Sequence, residues 1–475
     1  MSQPPNEPGS GKSGPPSGKS GGHVFQAPTG TRDFYPAELS RLRYIQDAWR
    51  RTSINHGFDE IDGPTFEHLD LYTVKSGEGI VSELFSFERF GGEKTFALRP
   101  EFTPTLARMY ASKAASLPKP TKWFWMQNCF RAERPQRGRL REFSQWNCDV
   151  IGDDSPQSDA EVIGCCVGMM EALGMSPATS RTFSQGKWSV SGQAVVRVSD
   201  RRVTEQLLRA AGLAPTSVDA GLALLDKRAK ASPADFEKDC QRVRLNLERF
   251  DSLCNIAVNA VFYGRGPSHP SQQARMAIQE VGIDAGPLYA LFDALDAVGI
   301  GDWCIFDPAI ARGLAYYTGM VFEVHEASGA ERAIAGGGRY DKLIEMFGGP
   351  PTPAVGFGMG DVVLSLVLAD KGLMPKDDEI ASRLGLNPDA VVVSNGTPEA
   401  DGVVAKVVAD LRRAGLHARR SAKKIGKAIQ DAAKMRARYC VILEGATQAT
   451  VKDMGTQEQG SCGVDGLVER VKRRG

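Results

Sequence analysis

No apolar run in this chain of 475 residues approaches the roughly 18 residues that a helical membrane span requires, so no such span is expected. The first residues also lack the apolar segment of a secretory leader. Nine cysteines are scattered and none stands in CxxC spacing, which argues against a zinc knuckle or a disulfide framework and for buried free thiols in a reducing cytosol. Net charge is almost absent, with 58 Lys and Arg against 57 Asp and Glu. An anionic partner must therefore be held by local patches and not by the field of the whole molecule. What remains, 42% hydrophobic and 24% charged, suits a globular chain with a full core and room for two to four domains.

Residues 1–24 are dominated by Gly, Pro and Ser and read as a disordered tail. The GSGKSG and SGKSGG strings there follow no strand and lack the glycine spacing of a phosphate loop, so they are low complexity. A helix is predicted after Pro36, with Leu42, Ile45 and Trp49 on one face and Gly57 as its stop. SELFSFERFGGEKTFALRPEFTPTLARMYA predicts two strands around Gly91 and Gly92, then a helix from about Thr103. Residues about 158–175 and 200–300 read as mainly helical, with His269 in an exposed loop. A polar linker is expected at 374–388. From Asp389 the order is strand, helix, strand, helix, strand, a small α/β domain. Between Lys406 and Arg438 stand eleven Lys or Arg against two Asp or Glu, which fits either a solvated helix face or an RNA-facing patch.

The stretch around which these parts are organised is Phe130 to Gly152, FRAERPQRGRLREFSQWNCDVIG. It ends an apolar run, TKWFWMQNCF, read as exposed, and it returns from Phe143 to Val150 with the alternation of a half-buried strand. An antiparallel hairpin is predicted, with Arg131, Arg134, Arg137, Arg139 and Arg141 in a loop broken by Pro135 and Gly138. Guanidinium forks on a fixed platform suit a triphosphate or a nucleic-acid end. Glu101 and Thr103 stand where a helix begins, so they could hold an ammonium group or simply cap that helix. DPAIARGLAYYTGMVFEVHE places Arg312, Tyr316 and Tyr317 before an alternating strand. AGGGRYDKL, residues 335–343, reads as a glycine-rich stretch opening a helix, and TPAVGFGMGDVVLSLVLADKG as a strand running into a helix.

The string FRAERPQRGRLREF resembles motif 2 of the class II aminoacyl-tRNA synthetases in the form found in histidyl-tRNA synthetases. LRPEFT resembles that family's LRPEGT, RGLAYYTG its RGLDYYTG, and AGGGRYDKL its AGGRYDGL. The resemblance implies an α+β fold: an antiparallel class II sheet flanked by helices over 25–373, a helical insertion at about 175–300, and an anticodon-binding α/β domain over 389–475. It implies ATP and L-histidine as substrates, tRNA(His) and Mg²⁺ as partners, a cytoplasmic enzyme, and a homodimer formed through motif 1, whose proline matches Pro64. For histidine it implies Glu101, Thr103, Arg131, Gln145, Asp149, Arg312, Tyr316 and Tyr317. For ATP it implies Arg131, Glu133, Arg139, Phe143 and Arg312, with Arg131 and Arg312 catalytic. Gln136 and Arg137 would meet the tRNA acceptor end, and no side chain is assigned as a metal ligand. Departures from the family pattern include Ala315 and Asp149, where Asp and Glu are usual, and Val363, where motif 3 has an arginine. A histidine-binding regulatory subunit on the same fold is the rival reading, and an interaction protein with a decayed site is a third.

Overall fold

The computed structural model describes residues 25–76, 78–184, 186–228, 231–262, 271–310 and 317–472. The tail 1–24, His269, Arg312, Ala315 and Tyr316 lie outside the described residues.

Eight strands build the central sheet: β1 (Asp59–Glu60), β2 (Thr121–Phe130), β3 (Glu142–Ile151), β4 (Ala194–Asp200), β5 (Cys304–Phe306), β6 (Met320–Glu326), β7 (Ala335–Arg339) and β8 (Ala354–Gly360). Their spatial order is β1-β2-β3-β8-β7-β6-β4-β5, antiparallel throughout except at the two edges. The predicted hairpin is β2 and β3, in register from Thr121↔Ile151 to Phe130↔Glu142.

Alternation along β3 sorts its side chains between two faces. Trp146, Cys148 and Val150 enter the main core with helices α1 (Pro36–Asn55) and α3 (Pro156–Ala172). Trp49 of α1 stacks on Trp146, whose indole donates to the Ser53 hydroxyl at 2.8 Å. Phe143, Gln145, Asn147 and Asp149 take the other face, beside α2 (Thr103–Ala111). Packing of Phe102 and Leu106 against Trp125 and Cys129 anchors α2 there. The Phe102 and Trp125 rings are stacked at 4.3 Å.

Five expectations need correction. The TKWFWMQNCF run is not exposed: it is a central strand, with Phe124, Trp125 and Cys129 fully buried. The returning strand is covered on both faces instead of being half-buried, because helices lie on each side of the sheet. The helical insertion begins later than about 175. Residues 178–200 form a two-stranded ribbon (Ala178–Ser184, Lys187–Gly192) and then β4, and helices run only from Arg201 to Ala297. AGGGR is strand β7 and not a loop opening a helix. The 374–388 segment also carries structure, a helix Asp377–Arg383 that buries Ile380 and joins α1 through an Arg41–Asp377 ion pair at 2.7 Å.

The C-terminal unit follows the predicted order, then adds two strands. Ala390–Ser394 lies parallel to Ala418–Arg420 and Tyr439–Leu443, and Gln448–Asp453 and Gln459–Gly463 extend the sheet antiparallel. Its helix Pro398–Arg413 is capped by Thr397, whose hydroxyl accepts from the Ala400 amide.

Candidate active site

Glycines give the site its floor. In register across the sheet, Gly356 faces Asp149, Gly358 faces Asn147 and Gly360 faces Gln145, and in the next strand Gly336 and Gly338 pair with Gly358 and Gly356. A Cβ at Gly356 would stand 1.9 Å from Asp149 Oδ1, and one at Gly338 3.0 Å from the Tyr317 ring. Bare backbone in two adjacent strands is thus what lets the side chains of β3 lie flat over the sheet.

Over that floor the polar groups of β3 are nearly fully buried and ordered by each other. Gln145 Nε2 donates to Asn147 Oδ1 at 2.8 Å. Tyr340, entirely buried after β7, donates its hydroxyl to Asp149 Oδ1. Burial, then the adjacent Asp149 charge, pushes the Tyr340 phenol well above its usual range, so it stays protonated as a donor. Tyr317 lies against Gly338 beside this pair.

The arginine loop, residues 131–141, closes the open end of the row. Arg131 Nε donates to the Pro100 carbonyl at 3.2 Å, and its guanidinium lies 5.1 Å from the centre of the Phe143 ring. That bond ties the loop to the segment carrying Glu101 and Thr103. The cap reading of those two residues does not hold, since Phe102 occupies the N-cap of α2 and no side chain caps it. Arg139 is ion-paired to Glu133. The tip is a tight turn in which the Gln136 and Arg139 amides donate to each other's carbonyls, at 3.0 and 2.9 Å, with Gly138 at φ +75°. Gln136 is exposed. Arg137 is held by Glu331 at 2.5 Å and Asp370 at 3.3 Å.

The N-terminal segment braces the loop from outside. Gly30 accepts from the Arg141 amide at 2.8 Å, and its φ of +87° beside Pro135 excludes a side chain there. Arg32 donates to Asp361 at 2.8 Å in the first turn of α4 (Asp361–Asp370), and Asp361 also accepts from the Ser144 amide. Val363 is in the same turn of α4 and faces the loop tip.

Phe143, Gln145, Asp149 and Tyr317 therefore lie along one face of the sheet, Arg131, Glu133 and Arg139 stand on the loop at its end, and Glu101 and Thr103 follow the Pro100 carbonyl that Arg131 holds. Reading by sequence missed Tyr340, Asn147 and the glycine floor. A sequence signal was present only for the floor, as glycine at every second residue of AVGFGMG.

A large antiparallel sheet with an arginine hairpin at its active face, followed by a separate α/β unit, is the architecture of an aminoacyl-tRNA synthetase. The histidyl-tRNA synthetase family model matches residues 30–360, and an anticodon-binding domain model matches 389–474. The histidine--tRNA ligase of Opitutus terrae is 37% identical over 396 residues, 82% of this chain and 84% of that protein. That of Thermococcus kodakarensis is 34% identical over 456 residues, 93% and 97% of the two chains. Among solved structures, the histidyl-tRNA synthetase from Nostoc sp. PCC 7120 superposes with a TM-score of 0.72 at 25% identity, covering 95% of this chain and all of that one. The chain belongs to the histidyl-tRNA synthetase family.

Proposed function

We propose that this protein is a histidine–tRNA ligase, which activates L-histidine with ATP and transfers the histidyl group to tRNA(His). The observation that carries the reading is the Tyr340–Asp149 pair, set in a buried polar row that ends at Arg131 and Phe143. Asp149, already oriented by one phenol, accepts from the substrate imidazole. Gln145, Glu101 and Thr103 meet the α-amino group, and Tyr316 and Tyr317 line the pocket. The histidine carboxylate attacks the α-phosphorus in line, the bond to the bridging oxygen breaks, and pyrophosphate leaves. Positioning and neutralised charge account for the rate. Arg131 and Arg312 converge on the α-phosphate, Arg139 takes a terminal phosphate, and adenine stacks on the Phe143 face opposite Arg131.

Mg²⁺ usually takes one or two carboxylates together with substrate phosphates and water. Among the described residues no cluster of three or more His, Cys, Asp or Glu could hold a metal alone. Glu133, ion-paired to Arg139, is the carboxylate that would share it. The ion would screen phosphate charge.

Gln136 and Arg137 meet the acceptor end, for which Arg137 must leave Glu331. The protein acts as a cytoplasmic homodimer. Exposed Phe66, Phe87 and Phe90 on and beside the small sheet of Phe66–His68, Ser86–Glu88 and Thr95–Leu98 support a second copy packing there.

The regulatory-subunit reading is disfavoured by the anticodon-binding match at 389–474. Charging of a tRNA(His) transcript with labelled histidine tests the proposal: transfer to the transcript supports it, and its absence from well-folded protein removes it.

A further inference from the structure

Beside the phosphate position proposed for Arg139, residue 363 is a valine where the family pattern has an arginine. Val363 Cγ2 lies 3.2 Å from where a Cβ on Gly138 would stand, so a long side chain at 363 would project beside the turn that carries Arg137 and Arg139. Both of those arginines are engaged, Arg137 with Glu331 and Asp370 and Arg139 with Glu133. A third arginine brings its stem to the same turn from the connection between β6 and β7. Arg332 lays its Cδ 3.8 Å from that Gly138 position, on the stretch where Glu331 Oε2 stands at 4.0 Å. Arg332 is exposed and makes no hydrogen bond or ion pair to another described residue. Its neighbour Glu331 is satisfied by Arg137, so no adjacent carboxylate competes for it.

We propose that Arg332 supplies, from a different strand connection, the guanidinium for the terminal phosphates of ATP that Val363 cannot. The inference rests on the ligase reading above. A stem running beside the loop turn leaves the exposed guanidinium within reach of that turn, and guanidinium forks match phosphate oxygens bidentately. Because the contact is to the β- and γ-phosphates, it acts on ATP and not on AMP.

The test is steady-state ATP–pyrophosphate exchange by the full chain, comparing the parent protein, Arg332→Ala and Arg332→Lys. Arg332→Ala is expected to raise KM for ATP on the order of 10-fold or more and to slow exchange on the order of 100-fold. KM for histidine and the inhibition constant for AMP should stay within about twofold, and Arg332→Lys should fall between the two. A merely structural role would shift histidine, AMP and ATP together. An ATP KM within about twofold of the parent, or equal losses for all three ligands, overturns the inference while the ligase reading stands. Absence of exchange by the parent protein overturns both.

Discussion

Arg131 reaches two parts of the site at once, through its bond to Pro100 and its stacking on Phe143. Arg131→Ala should therefore lower histidine-dependent pyrophosphate exchange on the order of 10²- to 10³-fold, the usual cost of one lost charge-stabilising donor. Circular dichroism should show an unchanged fold. Tyr340→Phe isolates a different contribution. It leaves the Asp149 carboxylate buried with one donor fewer, so KM for histidine should rise about 10-fold, as expected from roughly 1–3 kcal/mol for a buried group that loses a partner. KM for ATP should hardly move, and initial-rate kinetics separates the two. Arg131, Phe143, Gln145 and Asp149 were legible because one hairpin supplies them all. Tyr340 was not, because its bond to Asp149 spans 191 residues and no local pattern encodes it.

Among the elements, β7 and β8 carry the site by what they omit. Gly356→Ala forces a methyl to 1.9 Å from Asp149 Oδ1 and 2.9 Å from the Cys148 carbonyl, so it displaces the buried carboxylate, and activity should be lost and the melting temperature lowered. Gly402→Ala is the contrast: it lies in the exposed part of the helix Pro398–Arg413, with nothing within 4 Å. That change should stabilise by up to about 1 kcal/mol without altering exchange, a difference readable by calorimetry and initial rates. Glycine-rich strands evade sequence reading because glycine has low strand propensity and signals a loop. The ladder here is fixed by cross-strand approach, which is a property of the sheet and not of AGGGR itself. The helices and hairpins with clear periodicity, α1 and the Gly91–Gly92 pair among them, form where their patterns place them. The ribbon strands Ala178–Ser184 and Lys187–Gly192 and the helix at 377–383 escaped because they are short and largely polar.

For the molecule as a whole, one ion pair links the end of the central sheet to the segment leading to the C-terminal unit. Burial alone would raise the Glu326 carboxyl, but the Lys371 ammonium at 2.7 Å and the Ser328 hydroxyl and amide hold it down to about 2. A depressed carboxyl contributes stability above its unfolded value and loses it as pH falls toward the folded one. The melting-temperature deficit of Glu326→Gln should thus be constant from pH 8 to 6 and shrink below about 4.5. The exposed phenylalanines make a second prediction at this scale. Light scattering should give twice the 51.3 kDa chain mass, and Phe66→Glu with Phe87→Glu should halve it.

The account depends on the sheet face between Asp149 and Arg131 being a site for histidine and ATP together. Pyrophosphate exchange into ATP by the purified full chain measures this directly. The account predicts exchange that requires histidine and is not supported by the other amino acids. Exchange that is absent from correctly folded protein, or equally strong without histidine, would contradict it.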